Sequence, residues 1–156
     1  MTATVEASYG GTPSGPPGSA VLAPVAAVTI DGEADLLRVR SALRTEAQAA
    51  GLGLTATTKL VTAGSELARN ILRYADRGHG VVTVQQVTAG HRSGVRAQFT
   101  DYGPGIADLD EVMRDGFSSC GSLGIGLPGS RRLVDEFMIE SAAGRGTTVI
   151  IAQWDR

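Results

Sequence analysis

Three separated stretches carry residues whose types and spacing could do chemistry. The first is Ser65-Glu66-Leu67-Ala68-Arg69-Asn70, in which Glu66 and Asn70, four apart, share one face of a helix. A carboxylate there can take a proton, and an amide oxygen is a hard ligand that helps hold Mg²⁺ beside phosphates and water. Alone, such a pair is also what an ordinary solvated helix face carries. The second stretch is Asp101-Tyr102-Gly103-Pro104-Gly105-Ile106. A carboxylate at a strand end can accept a hydrogen bond from an exocyclic amine such as that of adenine, and glycines let backbone approach a flat base. A tight turn after a strand is the plainer reading of the same letters. The third is Gly121-Ser122-Leu123-Gly124-Ile125-Gly126-Leu127-Pro128-Gly129, glycines running into a helix, where backbone N–H groups and the helix dipole favour phosphate. A dinucleotide fingerprint requires the glycines directly after the first strand of a βαβ unit, whereas a long loop precedes them here. The other phosphate cradle, G-x-x-x-x-G-K-[ST], is absent from the sequence.

The elements that position these stretches can be read from periodicity. Val25 to Ile30 is short, β-branched and apolar, as a buried strand is. Glu33 to Ala50 carries Leu36, Leu37, Val39, Leu43 and Ala47 on or near one stripe, with Gly51 and Gly53 as stop signals. Thr55 to Tyr74 predicts a second helix with Leu60, Val61, Leu67, Ile71 and Leu72 apolar and Thr55 or Thr57 as its cap. Val81 to Val87 and Val95 to Thr100 predict a hairpin. Residues 101 to 122 form a long irregular stretch with a helical turn around Leu109 to Arg114, and loops of that length inside compact domains are usually functional. Leu127 to Phe137 reads as a third helix; Met138 to Ser141 and Thr147 to Trp154 read as two strands. The order predicts an α+β fold, a two-layer sandwich with helices on one face of a mixed β-sheet.

Residues 1 to 19, rich in Gly, Pro, Ser and Thr, offer little to bury and predict a disordered N-terminal tail ahead of one domain spanning residues 20 to 156. Hydrophobic residues at 42% and charged residues at 19% suit one ordinary globular domain. A formal charge of −2 gives no footprint for nucleic acid or an anionic membrane. Cys120 stands alone, so neither an intrachain disulfide nor a cysteine metal cage can form, which suits a cytoplasmic location. The apolar run Ala20 to Ile30 contains Pro24, is too short to span a bilayer, and lacks the positive flank of a secretory signal.

The three stretches occur in the order of the N, G1 and G2 boxes of the GHKL ATPase superfamily, named for gyrase, Hsp90, histidine kinases and MutL. With "SELARNILRYADRG", "DYGPGIADLDEVMRDGFSS", "GLPGSRRLVDEF" and "GRGTTV", the chain resembles the RsbT-like serine/threonine kinases, the stressosome switch kinases of the anti-sigma regulatory class. The resemblance covers most of residues 25 to 154. It implies the Bergerat α/β sandwich and use of ATP with Mg²⁺. It implies Glu66 as general base, Asn70 as the Mg²⁺ ligand and Asp101 as the adenine-recognising carboxylate. Gly103 and Gly105 would flank the base, Gly124 and Gly126 would approach the phosphates, and Thr147 would support adenine through a water. It implies phosphorylation of a serine or threonine on a small STAS-domain antagonist, and activation of a PP2C-type phosphatase once the kinase is freed. Ser122 departs from the family by standing where a second glycine is usual before the Leu-Gly-x-Gly run.

Two other functions fit the same letters: an anti-sigma factor, or a binding module whose ATP site only sets its conformation. Glu66 separates them from a kinase, because a pure binder has no use for a base beside the metal. An ATP-driven clamp needs a transducer domain for which this chain has no room. No helical hairpin with a phosphoacceptor histidine precedes the domain, which argues against a complete sensor histidine kinase.

Overall fold

The computed structural model describes residues 3–8, 20–21, 26–75, 78–114 and 126–156. In chain order these give β1 (Ala3–Ser8), β2 (Ala20–Val21), β3 (Ala26–Ile30), α1 (Ala34–Ala49), α2 (Leu54–Tyr74), β4 (Gly80–Ala89), β5 (Arg92–Asp101), α3 (Leu109–Val112), α4 (Gly126–Leu133), β6 (Glu136–Ser141) and β7 (Thr147–Trp154). Among the described residues the strands form one sheet of seven in the order β1-β6-β7-β5-β4-β2, with β3 also on β4.

Period-2 burial fixes the register. Val82, Phe99, Val149 and Ile139 form one row across β4, β5, β7 and β6, and Val84, Ala97, Ile151 and Phe137 form the next. All eight are buried. A slip of one residue would turn both rows away from the core, so the pairing is strongly specified. Leu60, Ala63, Leu67 and Ile71 of α2, at helical spacing, join these rows in one core with Val39, Leu43 and Ala47 of α1. Each large side chain so buried stabilises the fold by roughly 1.5–3 kcal/mol relative to exposure. Helix α1 ends in a Schellman motif, Leu52 N–H donating to the Ala47 carbonyl at 2.9 Å and Gly51 N–H to that of Gln48 at 3.1 Å.

The two-layer α+β arrangement is the one expected, with several differences in detail. Every pair among the described residues is antiparallel, where a mixed sheet was expected. Ala3–Ser8, expected within a disordered tail, pairs along β6 from Ala3↔Ser141 to Ser8↔Glu136. Backbone pairing with an open edge needs no apolar side chains, which is why composition did not reveal it. The rest of that tail, residues 1–2 and 9–19, lies outside the described residues.

The third helix stops at Leu133, and Phe137 belongs to β6. Asp135 marks the change: its N–H donates to the Ala152 carbonyl at 3.1 Å, and its Oδ2 accepts the Trp154 N–H at 2.9 Å, which begins the β6–β7 ladder. At the start of α2, Gly53 is the N-cap and no side chain caps it. Thr57 instead donates its hydroxyl to the Leu52 carbonyl at 3.4 Å.

Candidate active site

Asp101 ends β5, where it pairs with Gly80 of β4 and Thr147 of β7, and Thr147 pairs in turn with Ser141 of β6. Four strand ends therefore meet at one corner. Helix α2 reaches the same corner because Gly80 has no side chain: a Cβ there would lie 2.7 Å from Ile71 Cγ2 and 2.5 Å from the Thr100 carbonyl oxygen. Asn70, adjacent to Ile71, is carried there with it.

Glu66 lies one turn earlier on α2 and is only 5% exposed, so the ordinary solvated helix face does not describe it. Its Oε2 faces Arg69 Nη1 at 3.4 Å. Its Oε1 is buried and, among the described residues, has no hydrogen-bond partner. An orphaned carboxylate oxygen is costly inside a protein and is found where a group waits for a ligand. Asn70 is partly exposed. Arg73, one turn further, is exposed on the same helix.

The Asp101 carboxylate is half-buried, and Oδ1 accepts the Gly103 N–H at 2.9 Å. Burial pushes its pKa up from the ordinary aspartate value, and backbone N–H groups of Gly103 and Thr147 pull it partly back. Gly103 is thus one of the donors that orient Asp101. Gly105 has φ +75°, and a Cβ there would run into the Ala142 carbonyl. The Gly144 N–H donates to the Pro104 carbonyl at 2.7 Å, closing this loop onto the β6–β7 turn. The space at Gly105 is therefore filled by chain.

Ser141 is the member of the corner that the sequence reading missed. It is 2% exposed. Its Oγ accepts the Ile106 N–H at 2.8 Å, donates to the Gly146 carbonyl at 2.9 Å and lies 2.8 Å from Thr147 Oγ1. A signal existed: Phe137, Ile139 and Ser141 share the inward phase of one strand, and a polar residue closing such a row requires buried partners.

Of the glycines expected near phosphate, Gly126 opens α4, with Pro128 in the first turn. Gly124, Gly121, Ser122 and Cys120 lie outside the described residues. Met113, in the loop, is buried in the core.

The strand-end corner offers a carboxylate acceptor at Asp101 and a hydroxyl at Thr147, and helix α2, packed on it through Ile71, carries an amide at Asn70 and a second carboxylate at Glu66 whose Oε1 has no partner among the described residues. Among the described residues no group of three or more His, Cys, Asp or Glu side chains could cage a metal. That donor set fits Mg²⁺ bound through one amide oxygen, phosphate oxygens and water, as this ion prefers. A cleft lined by Lys59, Arg132, Leu133, Val134, Asp135 and Arg156 lies at the other end of β6, away from this corner. No helix among the described residues is long and apolar enough to cross a membrane.

The family description "Histidine kinase-like ATPase domain" matches residues 31–154. The serine/threonine-protein kinase RsbT of Bacillus subtilis (strain 168) is 43% identical over 129 residues, covering 83% of this chain and 96% of the relative. A crystal structure of the RsbU and RsbW domains of a Mycobacterium tuberculosis protein superposes with TM-score 0.54 at 26% identity, covering 84% of this chain and 33% of that longer one. The mycobacterial sensor histidine kinase MprB shares the fold, with TM-score 0.52 at 19% identity over 84% of this chain and 97% of that one.

Proposed function

The chain belongs to the histidine kinase-like ATPase family and is an RsbT-like serine/threonine-protein kinase, and from that premise we propose that it phosphorylates a STAS-domain antagonist in a bacterial partner-switching pathway. In the same proposal it works in the cytoplasm, residues 20–156 form the catalytic domain, and the freed kinase activates a PP2C-type phosphatase.

The observation that carries the reading is the buried Glu66 carboxylate, one oxygen of which has no partner among the described residues, one helical turn from Asn70 and on the helix that packs against the Asp101 corner. ATP with Mg²⁺ supplies the transferable phosphoryl group. Glu66 Oε1 accepts the proton of the substrate hydroxyl. Asn70 would hold the Mg²⁺ of bound ATP through its amide oxygen. Asp101 accepts from the adenine amine, with Gly103 orienting its carboxylate and Thr147 beside it in register. Gly105 holds the loop that follows Asp101 against the β6–β7 turn, and Gly126, at the start of α4, would bring its backbone N–H to the phosphates, the role the family resemblance also gives Gly124. Phosphoryl transfer asks the protein mainly for position and charge, which this division of labour supplies.

The test is an affinity capture from the source cell with and without ATP, identifying bound proteins and new phosphoserine or phosphothreonine. Recovery of a STAS-domain protein carrying ATP-dependent phosphate is expected. Recovery of a sigma factor with no phosphate transfer would replace the kinase reading by the anti-sigma one.

A further inference from the structure

We propose that Ser141 holds the Thr147 hydroxyl as a hydrogen-bond acceptor toward the nucleotide, which makes Ser141 a positioning residue for selection of a 6-aminopurine. The inference rests on the nucleotide site described above and follows from counting protons.

A serine hydroxyl has one proton and two lone pairs. A carbonyl can only accept, so the 2.9 Å contact with the Gly146 carbonyl takes the one proton of Ser141. A backbone N–H can only donate, so Ile106, at 2.8 Å, takes one lone pair. One lone pair remains, and Thr147 Oγ1 lies 2.8 Å from it. Thr147 must therefore give its proton to Ser141, and the hydroxyl oxygen of this partly exposed residue keeps only lone pairs for anything in the site. Asp101, its register partner, is an acceptor as well. Two adjacent acceptors welcome an amine at position 6 of a purine and repel a carbonyl oxygen there. A water placed between them and the base carries the same demand, because its protons are drawn to the two acceptors and its lone pair faces the amine.

Without the Ser141 hydroxyl, that of Thr147 is free to rotate and donate. In calorimetry on the full chain, the wild type is expected to prefer ATP over inosine triphosphate, which differs in carrying a carbonyl at position 6. In Ser141→Ala the preference should fall about tenfold, the worth of one such bond, through weaker ATP binding with inosine triphosphate binding held or improved. A general loosening of the corner would weaken both nucleotides together, and that result would overturn the role of Ser141. Thr147→Val should lose the same preference, and adding Ser141→Ala to it should change the ratio no further. Additive losses would overturn the inference. Should Ser141→Ala fail to fold, Thr147→Val decides alone, with Thr147→Ser as the hydroxyl-retaining control. A wild-type preference kept in Thr147→Val overturns the inference, and one lost there but kept in Thr147→Ser supports it. Equal wild-type affinity for the two nucleotides would overturn the adenine-reading role of Asp101 and this inference together.

Discussion

Helix α2 and the strand corner place functional groups by different means. On α2, Glu66 and Asn70 are set relative to each other by a single helical turn, and nothing distant in sequence is needed to align them. At the corner, Asp101, Gly105, Ser141, Gly146 and Thr147 are aligned only because β5, β6 and β7 pair in one register and because two loops interlock through the Pro104 carbonyl and the Gly144 N–H. A local device should tolerate disturbance elsewhere and lose chemistry when one atom changes. A nonlocal one should lose geometry, and with it stability and affinity together.

The largest expected effect tests the local side. Glu66→Gln should lower phosphotransfer by about 10²- to 10⁴-fold while ATP affinity changes little, because an amide keeps the shape but cannot take the proton. Asn70→Ala should instead weaken Mg²⁺-dependent nucleotide binding itself, as read by calorimetry with and without the ion. If Glu66→Gln transferred phosphate at the wild-type rate, the base would have to lie outside α2.

Gly105→Ala tests the nonlocal side. With φ at +75° and the Ala142 carbonyl in the way of a Cβ, it should cost roughly 3 kcal/mol. Thermal denaturation should then show a midpoint lower by about 6–12 °C, and ATP binding should weaken in parallel. An unchanged midpoint would show that the two loops yield independently.

Asp101 lies between the two cases, since its chemistry is its own and its environment is tertiary. Burial raises its pKa, so the folded state holds the proton to higher pH than the unfolded chain does. The sign follows: its contribution to stability falls as pH rises from the ordinary aspartate value through the raised one. Asp101→Asn, which removes the buried charge, should leave the midpoint of the nucleotide-free protein at neutral pH unchanged or higher, while ATP preference over GTP falls about tenfold or more. ATP affinity of the wild type should decline on acidification beginning above the pH at which an ordinary aspartate protonates. A midpoint that drops sharply in Asp101→Asn would mean that the charge itself holds the corner together.

The smallest effect concerns β1. Starting the chain at Ala20 removes a six-residue edge strand and should cost about 1 kcal/mol, a fall of roughly 2–4 °C in the midpoint. ATP affinity should stay within about twofold, since edge pairing is a minor part of the core. A large loss of affinity would place β1 in support of Ser141, its neighbour opposite Ala3.

Much of this was legible in the letters because the relevant spacings are short. The α2 stripe, the Glu66–Asn70 pair and the alternation through β4, β5 and β7 each depend on residues within a few positions of one another. The helix cap at Gly53, the end of α4 before Val134 and the strand identity of Phe137 were not legible. In the last case the apolar run Leu133, Val134, Phe137 suits a helix, and what decides against it is Asp135 bonding to β7 nearly twenty residues later.

By itself the sequence determined which groups are available: a carboxylate and an amide one helical turn apart, a carboxylate at a strand end, and glycines where chain must pass close to chain. Only the tertiary structure decided how those groups are presented. It buried Glu66 with one oxygen unpartnered among the described residues, closed the Gly105 loop onto Ala142, and gathered Ile106, Gly146 and Thr147 around the Ser141 hydroxyl. Residue type is a local property, whereas burial and the direction of a hydrogen bond depend on everything packed around an atom, so they emerge only when distant segments meet.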